Sequence, residues 1–126
     1  MAVSVPLFSP AIYKAENDLS AKQFYFVERG TAAGEVDVCD GAGDRVVGVL
    51  VNKPEAGEAA EVMVYGVAKV TAGGTITRGA TVGTDANGKA VAKTADADLV
   101  AGIAETAAAS GELVTITLTP GAQRAS

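Results

Sequence analysis

With 126 residues and a net charge of −5, the chain has the length of one domain and lacks the basic surface that nucleic-acid binding requires. It has no histidine and a single cysteine, Cys39, which excludes Ser-His-Asp and Cys-His sites, an intrachain disulfide and a multi-cysteine metal site. Alanine and valine dominate the apolar residues and tryptophan is absent, so we expect one thin core that gains stability by burying surface against another copy or another protein.

Residues 1–20 are predicted to form an extended N-terminal arm. Pro6 and Pro10 interrupt an apolar segment and disfavour both a helix and a central strand. Burying the apolar side chains does not offset the entropy of ordering the backbone, so the arm would become ordered on a partner protein. The residues predicted to dock are Val3, Val5, Pro6, Leu7, Phe8, Pro10, Ile12 and Tyr13. The alternative is that the arm packs on its own barrel as an edge strand.

Alternation of apolar and polar residues predicts an all-β barrel domain over residues 21–120, with a flexible tail at 121–126. A small residue, a Gly and a Glu open three of its segments, at 33–35, 56–58 and 110–112. Gly66 interrupts the strand predicted at 61–71 and permits the bend by which a small sheet curls into a barrel. The other predicted strands are 24–30, 35–40, 46–51, 75–78, 80–84, 89–93, 99–104 and 113–119, with a loop or single helical turn at 106–110.

Acidic residues are the remaining candidates for catalysis: Asp40 with Asp44, Glu55 with Glu58 and Glu61, and Asp96 with Asp98. A glycosidase needs two carboxyl groups whose pKa values differ. These segments have the composition of solvated turns, where nothing raises one pKa above the other. We therefore expect no enzyme activity and no cofactor.

Asp85 and Asn87 resemble the first half of a calcium-binding loop. The third oxygen ligand before the Gly and the distant Glu of that loop are missing, whereas Asn87-Gly88 between alternating segments is typical of a hairpin. We predict a turn and no metal site.

The order of features along nearly the whole chain resembles the small capsid decoration, or cement, proteins of tailed bacteriophages. The segments that carry the resemblance are Ala2 to Pro10, Phe24 to Gly30, Asp44 to Val49, Ala56 to Glu58 with Val62 and Val64, Gly66 to Gly73, Asp85 to Lys89, Gly102 to Ala104 and Ser110 to Val114.

The resemblance implies a small β-barrel or β-tulip-like domain that assembles as a homotrimer on the outer surface of the expanded head. It also implies that the major capsid protein is the partner and that the protein has no enzymatic activity. The chain lacks a signal-peptide pattern and a run of roughly 18 to 20 apolar residues, so we expect synthesis in the host cytoplasm and no membrane contact.

Two other classes of function remain open. One is a different phage assembly protein, such as a head fibre base or a tail tube subunit. The other is a carbohydrate-binding module, for which only Tyr13, Tyr25 and Tyr65 offer aromatic rings for stacking on a sugar.

Overall fold

A computed structural model describes the backbone of residues 11–94 and 99–124, and the side chains of these residues up to Thr119. The described residues form strands and turns without a helix, so they include no helix that could cross a membrane. The all-β prediction is confirmed. The strands are β1 (Ala11–Ala15), β2 (Phe26–Arg29), β3 (Glu35–Val38), β4 (Gly48–Leu50), β5 (Ala59–Met63), β6 (Gly66–Thr71), β7 (Thr81–Thr84), β8 (Ala90–Ala92), β9 (Leu99–Ala104) and β10 (Leu113–Arg124).

The first five strands close into a barrel in the order β1-β3-β2-β4-β5, with β5 returning to β1. The pairing of β1 with β3 is parallel, and the other four pairings are antiparallel. The predicted barrel is therefore confirmed, and it begins at Ala11, inside the segment predicted to be an arm.

The last five strands form a second sheet in the order β6-β10-β9-β7-β8. A parallel bridge between Ala72 and Ala90 joins its two ends. This is the circular order of the first barrel, with β6 to β10 in the places of β1 to β5, and we call the second sheet the second barrel. The chain is thus a tandem structural repeat.

The residue registers of the two barrels also correspond. Gly48 pairs with Val27 in the first barrel, and Gly102 pairs with Val82 in the second. A Cβ atom on Gly48 would collide with the carbonyl oxygen of Met63, and one on Gly102 with that of Thr117. Both positions need glycine because a neighbouring strand's backbone lies against them.

The interiors correspond residue by residue as well. The core of the first barrel consists of Ala15, Leu19, Val27, Val36, Leu50, Ala60 and Val62. The equivalent residues, Ala72, Ile76, Val82, Ala90, Ala104, Val114 and Ile116, all lie in the second core cluster. The composition predicted one core, and the structure has two, because each five-strand barrel encloses its own row of small side chains.

The three Gly-Glu pairs form the same turn. The glycines have positive φ angles of 83°, 85° and 89°, which a residue with a side chain rarely adopts. In each turn the Glu carboxylate accepts a hydrogen bond from the backbone N–H three residues earlier. These bonds join Glu35 to Ala32, Glu58 to Glu55 and Glu112 to Ala109, at 3.2, 2.8 and 2.8 Å.

The two barrels are joined by the segment that precedes β2. In the first barrel, the N–H of Lys14 donates directly to the carbonyl of Gly34 at 2.9 Å. In the second barrel, backbone that belongs to the first barrel lies between the equivalent residues, Thr71 and Gly88. The N–H of Thr71 donates to the carbonyl of Phe24, and the N–H of Phe26 donates to the carbonyl of Gly88, both at 2.8 Å. The start of β2 therefore fills the opening between β6 and the β7–β8 hairpin.

The strand predicted at 61–71 is two strands, β5 and β6, which belong to different barrels and meet at Gly66, where φ is 93°. The segment predicted as a strand at 75–78 contributes only the bridge from Ile76 to Ala108. The loop predicted at 106–110 is confirmed. β10 extends to Arg124 and pairs there with β9, so backbone predicted as a flexible tail is partly strand.

Candidate functional site

The residues predicted to form the docking arm divide at Ala11. Val3, Val5, Pro6, Leu7, Phe8 and Pro10 lie outside the described residues. Ile12 and Tyr13 lie in β1, opposite Glu61 and Ala60 of β5. Tyr13 packs against the first core, whereas Ile12 is 64% exposed. Ile12 and Tyr13 therefore do not belong to an arm, because strand pairings on both sides hold β1 in the barrel.

A cluster of three ionisable groups lies on the outside of the first barrel. Glu28 is in β2, Cys39 follows β3, and Asp44 lies in the loop before β4; their carboxylate and thiol atoms are all within 4.8 Å of one another. The N–H groups of Asp40 and Gly41 donate to Asp44 Oδ2 at 2.9 and 2.8 Å. The backbone of the loop thus fixes the Asp44 carboxylate beside Glu28.

The two carboxyl groups of this cluster have pKa values shifted in opposite directions. Burial, followed by the hydrogen bond to Asp44 and the charges of neighbouring aspartates, raises the pKa of Glu28 to about 8. The same hydrogen bond, with those from the Asp40 and Gly41 amides, lowers the pKa of Asp44. The raised pKa favours the protonated form of Glu28, which can donate a hydrogen bond to the Asp44 carboxylate. The sequence predicted solvated acids of similar pKa, and its pattern did not indicate Glu28, because burial depends on distant residues.

This cluster has the chemistry of a structural contact. Two hydrogen-bonded carboxyl groups leave no room for a sugar between them, as a glycosidase would require. Burial raises the pKa of the Cys39 thiol to about 12, so the thiol is protonated and is a poor nucleophile and metal ligand. The Cys39 thiol and the Glu28 carboxyl group would both have to lose a proton before a metal ion could bind.

Glu55 and Glu58 lie in the loop and turn before β5, whereas Glu61 lies in β5. Glu58 Oε1 accepts the Glu55 amide at 2.8 Å, and the Glu61 amide donates to Asn52 Oδ1 at 3.0 Å. Asp96 and Asp98 lie outside the described residues.

The Asp85 turn is the predicted hairpin between β7 and β8. Asp85 Oδ1 accepts hydrogen bonds from the backbone N–H groups of Asn87 and Lys89 at 2.8 and 2.9 Å, so the carboxylate stabilises the turn.

The outer face of the second barrel presents a row of side chains across four strands. Thr81 pairs with Ile103, Ile103 with Thr117, and Thr117 with Val67. Ile103 is 42% exposed and Val67 is 52% exposed. We call these four residues the lateral row. Its exposed aliphatic groups are suited to contact with another protein surface.

A groove of about 430 Å³ lies on the first barrel between Tyr13 and the turn that follows β2. Arg29 and residues 30–35 form its other wall. We call Tyr13 and residues 30–35 the open seat. A Cβ atom added to Gly34 would have no neighbour within 4 Å, so the surface beside this turn is free.

The chain matches the phage cement protein family over residues 11–119, which include both barrels. The comparison with curated protein sequences gives no match. Among solved structures, the fold is similar to that of the head fibre gp8.5 N base of bacteriophage phi29, with a TM-score of 0.68 and 20% sequence identity over 90% of this chain and 95% of that chain.

The family match covers most of the sequence and both halves of the repeat, and it agrees with the resemblance seen in the order of sequence features. The chain belongs to the phage cement protein family.

Proposed function

We propose that this protein binds the outer surface of the expanded phage head as a homotrimer and stabilises the contacts between neighbouring major capsid subunits. The observation that carries the proposal is the family match over both barrels. Membership of that family makes the chain a structural protein of a phage head. The function is mechanical, and it would be performed in the virion after synthesis in the bacterial cytoplasm.

The surface chemistry supports a position on the outside of the head. The net charge of −5 opposes contact with the packaged DNA, since surfaces that bind DNA carry clusters of Lys and Arg. Exposed aliphatic and aromatic side chains provide contacts for protein partners instead. These residues are Ile12, Tyr65, Val67, Ile103 and Leu113.

The apolar segment before β1 is the proposed capsid-docking arm. It contains the apolar residues Val3, Val5, Leu7 and Phe8 and directly precedes β1, which begins at Ala11. A short extended segment binds weakly by itself because ordering its backbone costs entropy. Three arms on one trimer would raise the overall affinity through their effective concentration.

Co-sedimentation with expanded heads stripped of decoration tests the proposal. The full chain is compared with a version that begins at Ala11, which keeps β1 and therefore the complete first barrel. We expect the full chain to sediment saturably with heads and the shortened chain to bind much more weakly. Absence of binding by a folded full chain would contradict the cement function.

A full-length variant separates the arm's apolar chemistry from its length. In Leu7→Ser/Phe8→Ser, the arm keeps every backbone group but loses its two largest aliphatic and aromatic side chains. Binding should fall nearly as far as in the shortened chain. Binding equal to that of the wild type would mean that these two side chains are not anchors.

The base of a head fibre is the second candidate function, favoured by the similarity of fold to the gp8.5 N base. The two functions differ in what binding does to the head. A cement protein raises the temperature at which heads release their DNA, whereas a fibre base binds without that effect. Thermal release of DNA from heads with and without the protein distinguishes them.

A further inference from the structure

The two barrels are joined by a buried contact to which the first barrel contributes several side chains. Phe26 and Val49 are fully buried within the second core cluster, and Met63 packs against it. Cys39, which directly follows β3, is also fully buried in that cluster. The cluster of Glu28, Cys39 and Asp44 therefore borders the contact between the barrels.

Equivalent residues of the two barrels reach across this contact in opposite directions. Cys39 directly follows β3 and Lys93 directly follows β8, and these two strands occupy equivalent places in the two barrels. The thiol of Cys39 contacts the Thr84 side chain of β7, and Lys93 Nζ donates to the carbonyl of Ala42 at 3.0 Å. Both side chains are buried, so each barrel contributes one polar contact to the joint.

The loop between β3 and β4 carries both the Asp44 carboxylate and the carbonyl that receives the bond from the second barrel. Asp44 Oδ2 accepts the N–H groups of Asp40 and Gly41 at 2.9 and 2.8 Å, and the Asp44 N–H donates to Gly41 O at 3.0 Å. These bonds make residues 40–44 a compact turn, which we call the clasp. Ala42 lies inside the clasp, so a displacement of Asp44 also displaces the carbonyl that the second barrel binds.

Glu28 faces the clasp from β2 and lies among other titratable groups. These groups belong to β3 and the loop that follows it: Asp37, Cys39, Asp40 and Asp44. From the second barrel, Lys93 approaches the clasp, where its Nζ bonds to backbone. The Glu28 and Asp44 carboxyl oxygens are within 4.8 Å of one another. The two groups therefore form a stable contact only while a proton lies between them, because two carboxylates this close repel each other.

We propose that the clasp is a proton-dependent lock between the two barrels, closed while Glu28 and Asp44 share a hydrogen bond and opened by the loss of its proton. β2 is paired on both sides, with β3 and β4, whereas residues 40–44 contain no strand. Repulsion therefore moves the clasp and leaves β2 in place. The movement breaks the bond from Lys93 to Ala42, which frees this side of the joint. The lock belongs to the single chain and is independent of the proposed function.

The direction of the pH dependence follows from the two forms of the clasp. In the closed form the pKa of Glu28 is raised from 4.5 to about 8, and it returns towards 4.5 once the Asp44 carboxylate has moved away. The closed form therefore binds more protons than the open form between these values. Opening should be rarest below about pH 4.5, increase by at most about tenfold per pH unit, and level off above about pH 8.

Acylation of lysine side chains by a succinimidyl ester measures this opening, because Lys93 is only 9% exposed in the closed form. The exposed Lys69 of β6, in the same sample, is the reference for the intrinsic effect of pH on amine acylation. Mass spectrometry of peptides gives the ratio of the Lys93 rate to the Lys69 rate. The ratio should rise at least about tenfold from pH 6 to pH 8 and then stay constant to pH 9.5. A ratio independent of pH in the wild type would overturn the proposal.

Two variants remove the carboxylate pair from opposite sides. In Glu28→Gln and in Asp44→Asn the remaining carboxyl group faces a neutral amide, so the ratio should be low and independent of pH. Either variant decides the question if the other fails to fold. Glu55→Gln, at an exposed position, is the matched control and should keep the rise seen in the wild type. A wild-type rise in a folded Glu28→Gln or Asp44→Asn protein would assign the exposure of Lys93 to other groups and overturn the proposal.

Urea separates opening of the clasp from unfolding of the whole chain. Displacement of one short loop exposes little surface, so the Lys93 ratio at pH 8 should be nearly independent of urea below the unfolding transition. Unfolding of the chain exposes much more surface and depends steeply on urea. A ratio that rises with urea in step with global unfolding would show that only the unfolded chain exposes Lys93, and it would overturn the lock.

Discussion

Val49 and Ile103 occupy equivalent positions in the two barrels, yet Val49 is fully buried and Ile103 is 42% exposed. Val49 pairs with Met63 on β5, and Ile103 pairs with Thr117 on β10. The second barrel covers Val49 of the first barrel, whereas Ile103, the equivalent residue of the second barrel, is exposed. A duplicated fold in a single chain therefore carries two unlike faces.

The Glu28–Asp44 pair should make stability depend on pH in the neutral range. The pKa of Glu28 rises on folding from 4.5 to about 8, so the folded state binds more protons than the unfolded state between these values. The contribution of Glu28 protonation to the stability of the folded state is complete below about pH 4.5 and is lost as the pH rises through about 8. We expect the melting temperature to fall from pH 5 to pH 9, measured by calorimetry.

The variant Glu28→Gln removes this titration and keeps a side chain that donates a hydrogen bond to Asp44. Its melting temperature should change less than that of the wild type over the same pH range. Glu55→Gln, at an exposed turn position, serves as the control and should retain the wild-type slope. An unchanged slope in Glu28→Gln would assign the pH dependence to other groups.

Lys93 connects the two barrels through a charged hydrogen bond. It follows β8 of the second barrel, is 9% exposed, and donates from Nζ to the carbonyl of Ala42 in the first barrel at 3.0 Å. Lys93→Met keeps the aliphatic stem and removes this bond, which should lower the free energy of unfolding by about 1.5–3 kcal/mol. Urea denaturation of the wild type and the variant measures this difference in the free energy of unfolding.

The exposed Lys69 on β6 supplies a matched control for this substitution. Lys69→Met should change the free energy of unfolding by no more than about 0.5 kcal/mol. Equal effects of the two substitutions would show that the bond to Ala42 contributes nothing to stability.

Three glycine substitutions separate backbone strain from steric collision. In Gly111→Ala the Cβ atom meets nothing within 4 Å, but φ is 89°, so stability should fall by about 1–2 kcal/mol. Gly102→Ala should cost more, because its Cβ atom would collide with the carbonyl oxygen of Thr117 on the next strand.

Gly43→Ala is the control, since its Cβ atom has open space and its φ is not positive. It should be neutral or slightly stabilising, because alanine restricts the unfolded chain. Thermal unfolding of the three variants should give the order Gly43→Ala, Gly111→Ala, Gly102→Ala, and a Gly102→Ala protein as stable as the wild type would contradict the strand contact.

Cys39 should react with thiol reagents only after unfolding. It is fully buried, and burial raises its pKa to about 12, so little thiolate forms at neutral pH. The rate of modification by a disulfide reagent should be low in buffer and rise steeply in denaturant. Rapid modification of the native protein would show that the segment around Cys39 opens readily.

Local sequence patterns identified most of the strands and turns. The hairpin at Asn87-Gly88, the break at Gly66 and the three Gly-Glu turns all depend on residues close together in the chain, and the structure has each of them. The repeat is visible in the sequence as a spacing: Gly48 and Gly102, like Gly57 and Gly111, are separated by 54 residues. The same spacing at two pairs of glycines would have indicated two barrels.

Composition, period-two patterning and turn chemistry therefore determined that this protein is all β and built from short strands, because these properties arise from interactions between near neighbours. Only the tertiary structure decided that there are two barrels, that the pKa of Glu28 is raised beside Asp44, and that Val49 is covered while Ile103 is exposed. Each of these depends on which distant segments pack together, since burial and strand register are set by long-range contacts.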